Sequence, residues 1–346
     1  MKNFMLEPGG KIVFGGGCVR EYLSSFALDY GPNVLLVSGV RSARENGAYG
    51  QAVSGLQAAR KQIIDFSGVR PGPDYETVQE GARLCRERQV DLILGVGGGS
   101  VIDCCKAVSL AAVCRGDLWQ ALWERPGVVD FQPLPVGIVP TTLGTGALNG
   151  AAVLDRGGIR EARSYPQCAP KFVLFDPAYP KTLPREQVIS DGFCIFSRAL
   201  ELYLAPPAEG AAVTDGVLEA LMERTVRVLR SGELLGDVCR ADLMWSGALV
   251  GNDLLQAGKR CGCPCRREAL ALSRRTGQGF TPALAAVQLS ACRFACQAQP
   301  ARMVRLAERV WGLSGLPKGE LAQAGVEALA GFLRELGLSG EKPAMS

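Results

Sequence analysis

The chain has 346 residues, more than one ordinary hydrophobic core accommodates, and this length predicts two domains. Hydrophobic residues make up 47% and charged residues 21%, a composition that excludes a disordered chain. The net charge of +4, from 38 basic and 34 acidic residues, is too slight to indicate a nucleic-acid-binding surface.

The apolar segments are too short for a membrane protein. The longest of them, such as Ala107 to Cys114 with Ser109 inside it, fall well short of the roughly 20 residues that span a bilayer. The opening MKNFMLEPGGKIVF lacks the apolar core of a signal peptide. We therefore expect a cytoplasmic protein with neither membrane nor nucleic-acid partners.

The 13 cysteines do not form the pattern of a disulfide framework, because their number is odd and their positions are scattered. Most are expected to be small buried apolar side chains. Of the adjacent pair Cys104 and Cys105, whose side chains diverge on a helix, one is expected to be buried. Cys292 and Cys296, four residues apart in an apolar segment, are also expected in the core rather than as metal ligands.

The first half of the chain alternates apolar strands with amphipathic helices. The predicted strands cover residues 33–38, 61–67, 91–96, 136–140 and 172–175. The predicted helices between them cover residues 43–59, 73–88 and 101–112. This alternation is typical of a parallel sheet with crossover helices.

The pattern changes after the proline-rich segment FDPAYPKTLP, residues 175–184, beyond which no strand is predicted. Helical spacing of apolar residues is found instead in 185–204, 211–231, 236–256, 282–297, 300–313 and 318–336. We therefore predict an α/β domain over residues 1–181 and an all-helical domain over residues 182–346.

A glycine-rich turn is the most informative feature of the sequence. In LGVGGGSVIDCCKAVSL, residues 94–110, a buried strand runs through Gly97–Gly99 directly into a helix. Glycines let the backbone turn tightly and come close to a ligand, and the N–H groups of the helix start attract phosphate. Ser100 is predicted to cap the helix. Asp103, one turn later, is placed to accept from a ribose hydroxyl or a nicotinamide amide.

A second loop, PTTLGTGALNG at residues 140–150, also follows a predicted strand. Its hydroxyl groups and glycines suit a bound dinucleotide, and they are equally compatible with a purely structural turn. The hydroxyl groups belong to Thr141, Thr142 and Thr145.

The two loops, in this order and spacing, resemble those of the iron-containing (group III) alcohol dehydrogenases, most closely the branch of butanol dehydrogenases and NADPH-dependent aldehyde reductases. The resemblance extends along almost the whole chain. Its blocks are NFMLEPGGKIVFGGG (3–17), similar to the family's first hairpin, the segment 71–108 that ends in GGGSVIDCCKAV, FDPAYPKTLP (175–184), SRALELY (197–203) and AERVWGL (307–313).

This resemblance implies the family's fold and activity. The fold is α/β: an N-terminal Rossmann-like nucleotide-binding domain with a parallel sheet, followed by an all-helical C-terminal domain (dehydroquinate synthase-like / iron alcohol dehydrogenase fold). The implied substrate is a small alcohol or aldehyde, and the implied assembly is a homodimer or larger homo-oligomer.

The resemblance also assigns cofactor-binding residues. Gly97, Gly98, Gly99 and Ser100 would bind the pyrophosphate, with Asp103, Thr141, Thr142 and Thr145 beside the nicotinamide half.

The segment VSGVRSAR, residues 37–44, bears on the choice of cofactor. NAD-preferring relatives often carry an aspartate where this chain has Gly39. Without that carboxylate a 2′-phosphate is not repelled, and Arg41, Ser42 and Arg44 could hold it by charge-assisted bonds. We therefore expect NADP(H) rather than NAD(H), unless these arginines are simply solvated.

The family's metal is held by one aspartate and three histidines, and this chain contains no histidine. By resemblance, the ligand positions fall on Cys194, Arg198, Arg267 and Thr281. A protonated guanidinium has no lone pair and repels a cation, so the metal is expected to be absent.

The segment RCGCPCRREAL, residues 260–270, allows three interpretations. Cys194 could join Cys261, Cys263 and Cys265 in a thiolate site for zinc or an iron–sulfur cluster. Alternatively, Arg198 with Arg266 or Arg267 could replace the metal as a fixed cation that polarises a carbonyl, which makes Arg198 and Arg267 the candidate catalytic residues. The third interpretation is a solvated, arginine-rich remnant of the site.

Two functions remain open at this point. One is an NADP(H)-dependent alcohol/aldehyde oxidoreductase without the family's metal. The other is a catalytically inactive dinucleotide-binding pseudoenzyme with a sensing or scaffolding role.

Overall fold

The computed structural model describes residues 10–144, 146–206, 211–257, 259 and 264–338. Contacts divide the chain into two compact units that meet in sequence at Pro184 and Arg185. Our predicted boundary, after residue 181, falls within the 3-10 turn Tyr179–Thr182. No helix among the described residues is long and apolar enough to cross a membrane.

The first unit is built on a six-stranded parallel sheet with the order β1-β8-β5-β4-β2-β3. Its central strands are mainly apolar and are buried on both faces, as expected where helices cover both sides of a sheet. The sheet strands are β1 (Lys11–Phe14), β2 (Asn33–Gly39), β3 (Gln62–Val69), β4 (Leu92–Gly97), β5 (Val136–Pro140) and β8 (Phe172–Phe175).

A separate two-stranded antiparallel hairpin completes the strands of this unit. It consists of β6 (Ala151–Arg156) and β7 (Ile159–Ser164), joined by Gly157 and Gly158, which both have positive φ. The sequence prediction missed this hairpin, although a Gly-Gly pair between two strand segments favours such a two-residue turn.

The helices of this unit include α4 and α5, which flank β4. They are α1 (Cys18–Ala27), α2 (Ser42–Glu45), α3 (Ala48–Ala58), α4 (Tyr75–Glu87) and α5 (Gly99–Ala111), with a π-helical turn at Trp119–Trp123. The predicted helix 43–59 is in fact two helices, because Gly47 lies between them with φ +84°. Helix α1 was not predicted.

The hairpin expected for residues 3–17 lies partly outside the described residues, which begin at Gly10. Strand β1 pairs in parallel with β8, from Lys11 opposite Phe172 to Phe14 opposite Phe175. The residues before position 10, where the other half of a hairpin would lie, are outside the described part of the chain.

The second unit is helical, with no strand among its described residues. An aromatic cluster joins three of its helices, since the ring centroids of Phe196, Trp311 and Phe332 lie 5.7–5.9 Å apart. The α-helices are α6 (Arg185–Leu204), α7 (Ala211–Leu229), α8 (Asp237–Val250), α9 (Pro264–Thr276), α10 (Phe280–Ala298), α11 (Pro300–Trp311) and α12 (Lys318–Glu335). The arginine-rich helix α9 was not predicted.

A buried ion cluster lies inside this helical unit. Lys259 Nζ lies 2.8 Å from Asp215 Oδ1 and donates to the carbonyl of Leu202, and Arg302 Nη1 lies 2.8 Å from Asp215 Oδ2. Burial alone would raise the pKa of Asp215, but hydrogen bonds from Arg302 and Lys259 outweigh it and lower that pKa. The cluster fixes residue 259 to helices α6, α7 and α11.

Candidate functional site

The glycine turn links β4 to α5, and its first two residues have no room for a side chain. A Cβ at Gly97 would come within 2.5 Å of Val101 Cγ2, and a Cβ at Gly98 within 2.7 Å of Thr142 Cγ2. At Gly99, which is exposed, a Cβ would meet nothing within 4 Å. The first two glycines therefore permit tight packing, and the third leaves open space at the start of the helix.

This open helix start suits an anion. Gly98 is the N-cap residue of the 13-residue helix α5. As a glycine it has no side chain to accept from the first N–H groups of the helix, so it leaves them available to a ligand. The helix dipole adds partial positive charge at the same place. A phosphate group fits this chemistry.

Ser100 does not have the predicted capping role. Its hydroxyl oxygen accepts a hydrogen bond of 3.1 Å from the backbone N–H of Gly72, while Gly98 occupies the N-cap position. Ser100 therefore ties the loop before α4 to the glycine turn. Asp103 is half-buried, one turn further along α5.

The structure brings the second loop against the glycine turn. The N–H of Thr141, which is buried, donates to the carbonyl of Gly97 over 3.0 Å. The Thr142 methyl group faces the space beside Gly98. Thr145 lies outside the described residues. Thr141 and Thr142 therefore lie directly beside the first two glycines of the turn.

Lys106 is a residue of this site that sequence reasoning missed. It follows Cys104 and Cys105, which are both fully buried although only one of them was expected to be, and its own side chain is also fully buried. Its ammonium group donates to the carbonyls of Gly146 and Ala151, in and just after the second loop. The available signal was a lysine in the middle of an apolar helix.

The end of β2, where an adenosine ribose was predicted, carries arginines that already have partners. Arg41 is 79% exposed and pairs with Glu45 over 2.8 Å. The Arg44 guanidinium donates to Ser67 Oγ over 3.0 Å, lies 3.5 Å from Asp65 Oδ2, and lies 3.8 Å above the ring of Tyr49.

Gly39 ends β2 at this place, and Ser42 begins α2. A Cβ at Gly39 would make only ordinary contacts, at 3.7 Å or more. There is therefore room at position 39 for the aspartate that NAD-preferring relatives often carry.

Arg198, at a predicted metal-ligand position on α6, belongs to a hydrogen-bonded network. Its side chain is 17% exposed, and its Nη2 donates to Gln256 Oε1 over 2.8 Å. Its Nη1 lies 3.7 Å from Glu201 Oε2, and Glu201 Oε1 accepts from the N–H groups of Cys265 and Arg266. Glu201 thus binds both the guanidinium and the N-terminus of α9.

Of the other predicted ligand positions, Cys194 and Thr281 lie close together, and Arg267 is exposed. Burial raises the pKa of Cys194 to about 11, with a smaller opposing effect from Arg266 and a hydrogen bond with Thr281. Thr281 is buried, and its hydroxyl lies 2.6 Å from that of Ser190. Arg267 is exposed, and the arginine whose charge acts on Cys194 is Arg266.

The residues at these positions do not fit a divalent metal. A guanidinium has no lone pair, so Arg198 and Arg267 cannot coordinate a cation, and Cys194 alone offers a common metal ligand among the four positions. Within the part of the chain that the structure describes, no three carboxylates or thiols lie together as metal ligands. Cys261 and Cys263 of the proposed thiolate cluster lie outside it, and Cys265 is buried.

Comparison with known proteins identifies the family. The pattern described as iron-containing alcohol dehydrogenase matches residues 9–177. The chain is 30% identical to the probable NADH-dependent butanol dehydrogenase 1 of Bacillus subtilis (strain 168), over 97% of this chain and 88% of that protein. It is 29% identical to the NADPH-dependent aldehyde reductase YqhD of Escherichia coli (strain K12), over 98% of this chain and 88% of that protein.

A solved structure gives the same result. The NADH-dependent butanol dehydrogenase A of Thermotoga maritima superposes with a TM-score of 0.88 and 29% identity, covering 98% of this chain and 85% of that one. The parallel sheet followed by a helical unit confirms the predicted fold class. The chain belongs to the iron-containing alcohol dehydrogenase family.

Proposed function

We propose that this protein is an NADP(H)-dependent alcohol/aldehyde oxidoreductase that works without the metal of its family. The observation that carries the proposal is the glycine turn, in which β4 leads directly into an open helix start beside a threonine loop. This arrangement favours a phosphate-bearing ligand, and relatives are named as NADH- or NADPH-dependent enzymes.

The residues of the α/β unit divide the work of binding. The backbone N–H groups at Gly98, Gly99 and Ser100 would bind the pyrophosphate, and Asp103, Thr141 and Thr142 would orient the nicotinamide half, together with Thr145. A bound NADPH supplies the hydride that reduces an aldehyde. The protein's part is to hold the dinucleotide and the substrate in reacting geometry.

The preference for NADP(H) rests on the end of β2. Position 39 is glycine, so no carboxylate repels a 2′-phosphate there. Arg41, Ser42 and Arg44 lie just beyond it. Exposed ion pairs such as that of Arg41 with Glu45 contribute only about 0.3–0.5 kcal/mol, so a phosphate can displace the carboxylate from the guanidinium.

The cofactor preference is tested by one substitution. Because a Cβ at position 39 meets only ordinary contacts, Gly39→Asp introduces a carboxylate without a clash with the neighbouring atoms. Titration of nicotinamide fluorescence should show that the wild type binds NADPH more tightly than NADH and that Gly39→Asp reverses the order. Tighter binding of NADH by the wild type would refute the preference.

The proposal that catalysis does not use a metal rests on the Arg198 network. The guanidinium is held by Gln256 and Glu201. By resemblance, its position corresponds to a metal ligand of the family. Arg198 and Arg267 remain the candidates for a cation that polarises the carbonyl. Of the two, Arg198 is the one held in place, since Arg267 is exposed.

The same network favours the second candidate function, an inactive dinucleotide-binding protein. A fixed guanidinium that already has partners stabilises a developing alkoxide less well than a Lewis-acidic metal does. A protein of this kind would keep the glycine turn for sensing or scaffolding and would bind NADPH without turning it over.

One assay separates the two functions. The chelator-treated protein is given NADPH with a panel of short aldehydes, and NADPH oxidation is followed by absorbance, with and without added zinc or iron(II). Turnover that does not depend on metal supports the oxidoreductase, and tight NADPH binding without turnover supports the inactive protein. Turnover only with added metal would show that the ligand positions are assigned wrongly. Light scattering on the same sample tests the proposed homodimer or larger homo-oligomer.

A further inference from the structure

A fully buried lysine connects the two loops of the candidate cofactor site. Lys106 is 0% exposed. Its Nζ donates to the carbonyl of Gly146 over 2.6 Å and to that of Ala151 over 2.9 Å, and lies 3.5 Å from Asn149 Oδ1. Burying an ammonium group destabilises a fold unless its N–H groups find acceptors. Here the three oxygens all belong to residues 146–151.

The placement of these partners gives the lysine a specific role. Lys106 belongs to α5, the helix whose first turn forms the glycine turn, whereas its acceptors lie at the end of the second loop and the start of β6. Asn149 Oδ1 also accepts from the N–H of Ala151, so the end of the loop closes on the same cluster.

The start of the loop is fixed separately, by the hydrogen bond from Thr141 to Gly97. The described residues of the segment 141–150 are therefore tied to Gly97 at their start, through backbone, and to Lys106 of α5 from Gly146 onward, through the ammonium group.

We propose that Lys106 is a positioning residue, which holds the 141–150 loop against the glycine turn in the conformation that receives the nicotinamide half of the dinucleotide. This inference rests on the proposed function, because it assigns the loop to a nicotinamide. Lys106 acts through the loop and does not touch the cofactor.

The chain offers a matched control within the same unit. Lys61 Nζ also donates to two backbone carbonyls, those of Tyr30 over 2.6 Å and Gly31 over 3.1 Å, where β2 and β3 begin. It contacts neither cofactor loop through these bonds. Lys61→Met therefore removes a comparable carbonyl-binding ammonium group without disturbing the loops.

The anchoring itself is tested by hydrogen exchange on the protein without cofactor. Lys106→Met should speed amide exchange in residues 141–150 by about tenfold or more, because the carbonyls of Gly146 and Ala151 lose a charged donor. Lys61→Met should leave exchange in this segment unchanged. Unchanged exchange in Lys106→Met would overturn the inference.

The consequence for the cofactor is tested with two ligands, NADPH and 2′-phospho-ADP-ribose, which lacks the nicotinamide. Lys106→Met should weaken NADPH binding about tenfold and change binding of the fragment by less than about twofold. Lys106→Arg should recover part of the NADPH affinity. If Lys106→Met does not fold, Asn149→Ala removes one partner of the cluster, and we expect the same selective loss, smaller in size.

Four outcomes of the binding experiment bear on the inference. Equal losses for both ligands in Lys106→Met, or the same losses in Lys61→Met, would show a general structural effect and overturn the inference. Unchanged NADPH binding would do so as well. If the wild type binds neither ligand, the proposed function fails together with the nicotinamide assignment, and the exchange measurement decides the anchoring on its own.

Discussion

Replacing Gly99 by alanine separates cofactor binding from folding at the glycine turn. Gly99 is the first residue of α5, it is exposed, and its φ is not among the positive values. A Cβ there meets no atom within 4 Å, so alanine fits without strain. Alanine is favoured over glycine inside helices by up to about 1 kcal/mol, so the unfolding temperature should stay the same or rise slightly.

The same methyl group stands where a phosphate would approach the N–H groups of the helix start. Losing one hydrogen bond to a charged group costs about 1.5–3 kcal/mol. At 1.4 kcal/mol per factor of ten, the dissociation constant for NADPH should rise about 10- to 100-fold. Nicotinamide fluorescence titration and thermal unfolding of one preparation measure the two effects together.

Two further glycine substitutions complete the test. Gly50→Ala, on the exposed face of α3 with nothing within 4 Å, is the matched control and should change neither NADPH binding nor folding adversely. Gly98→Ala should reduce both, since its Cβ would lie 2.7 Å from Thr142 Cγ2. If Gly99→Ala binds NADPH as tightly as the wild type, the pyrophosphate does not bind at the start of α5 and the reasoning is refuted.

Three other outcomes are expected from the described contacts. Asp215→Asn leaves Lys259 buried without its carboxylate and should lower the free energy of unfolding by about 3–5 kcal/mol at neutral pH in denaturant titrations. Because the pKa of Asp215 is lowered in the folded state, its carboxylate stabilises the fold fully above the ordinary carboxyl pKa, and this stabilisation is lost as the pH falls through the lowered pKa. The wild type and Asp215→Asn should therefore differ less in unfolding free energy at acid pH, and an undiminished difference there would contradict this account. Arg44→Ala should weaken NADPH binding about tenfold and spare NADH, with a smaller effect from Arg41→Ala; equal loss of both cofactors would argue against a 2′-phosphate contact. Burial raises the pKa of Cys104 to about 12, so mass spectrometry should find this thiol unlabelled by alkylating reagents at neutral pH until the protein unfolds.

The sheet and the glycine turn could be predicted because their signals are local. Buried strands such as β4 are continuous apolar runs, and Gly97–Gly99 mark the turn directly in the sequence. The break between α2 and α3 was missed because the apolar spacing continues across Gly47, and only the backbone angle of that residue shows it. Helix α9 was missed because its arginines mask the apolar face that contains Cys265 and Ala269.

The partners of the site residues could not be predicted, because they come from distant segments. Lysines are nearly always exposed, so a lysine in the middle of an apolar helix is the one sign of the burial of Lys106, and nothing in the sequence names the carbonyls it binds. In the same way, the pairing of Arg198 with Gln256 joins residues that are 58 positions apart. Periodicity identifies which face of a helix is buried, but it does not identify which polar groups meet there.

The Arg198 network shows why the altered ligand positions act together. Glu201 is only 7% exposed, and a buried carboxylate is stable only with compensating partners, here the guanidinium and two N–H groups of α9. Histidine at position 198 would remove the guanidinium from Glu201 and Gln256 and would supply one lone pair. A bound divalent metal needs three or four donors, and of the other predicted positions, Cys194, Arg267 and Thr281, only the cysteine offers a common metal ligand. We therefore expect a single restored ligand to destabilise the helical unit without creating a metal site, because Glu201 would lose its guanidinium partner.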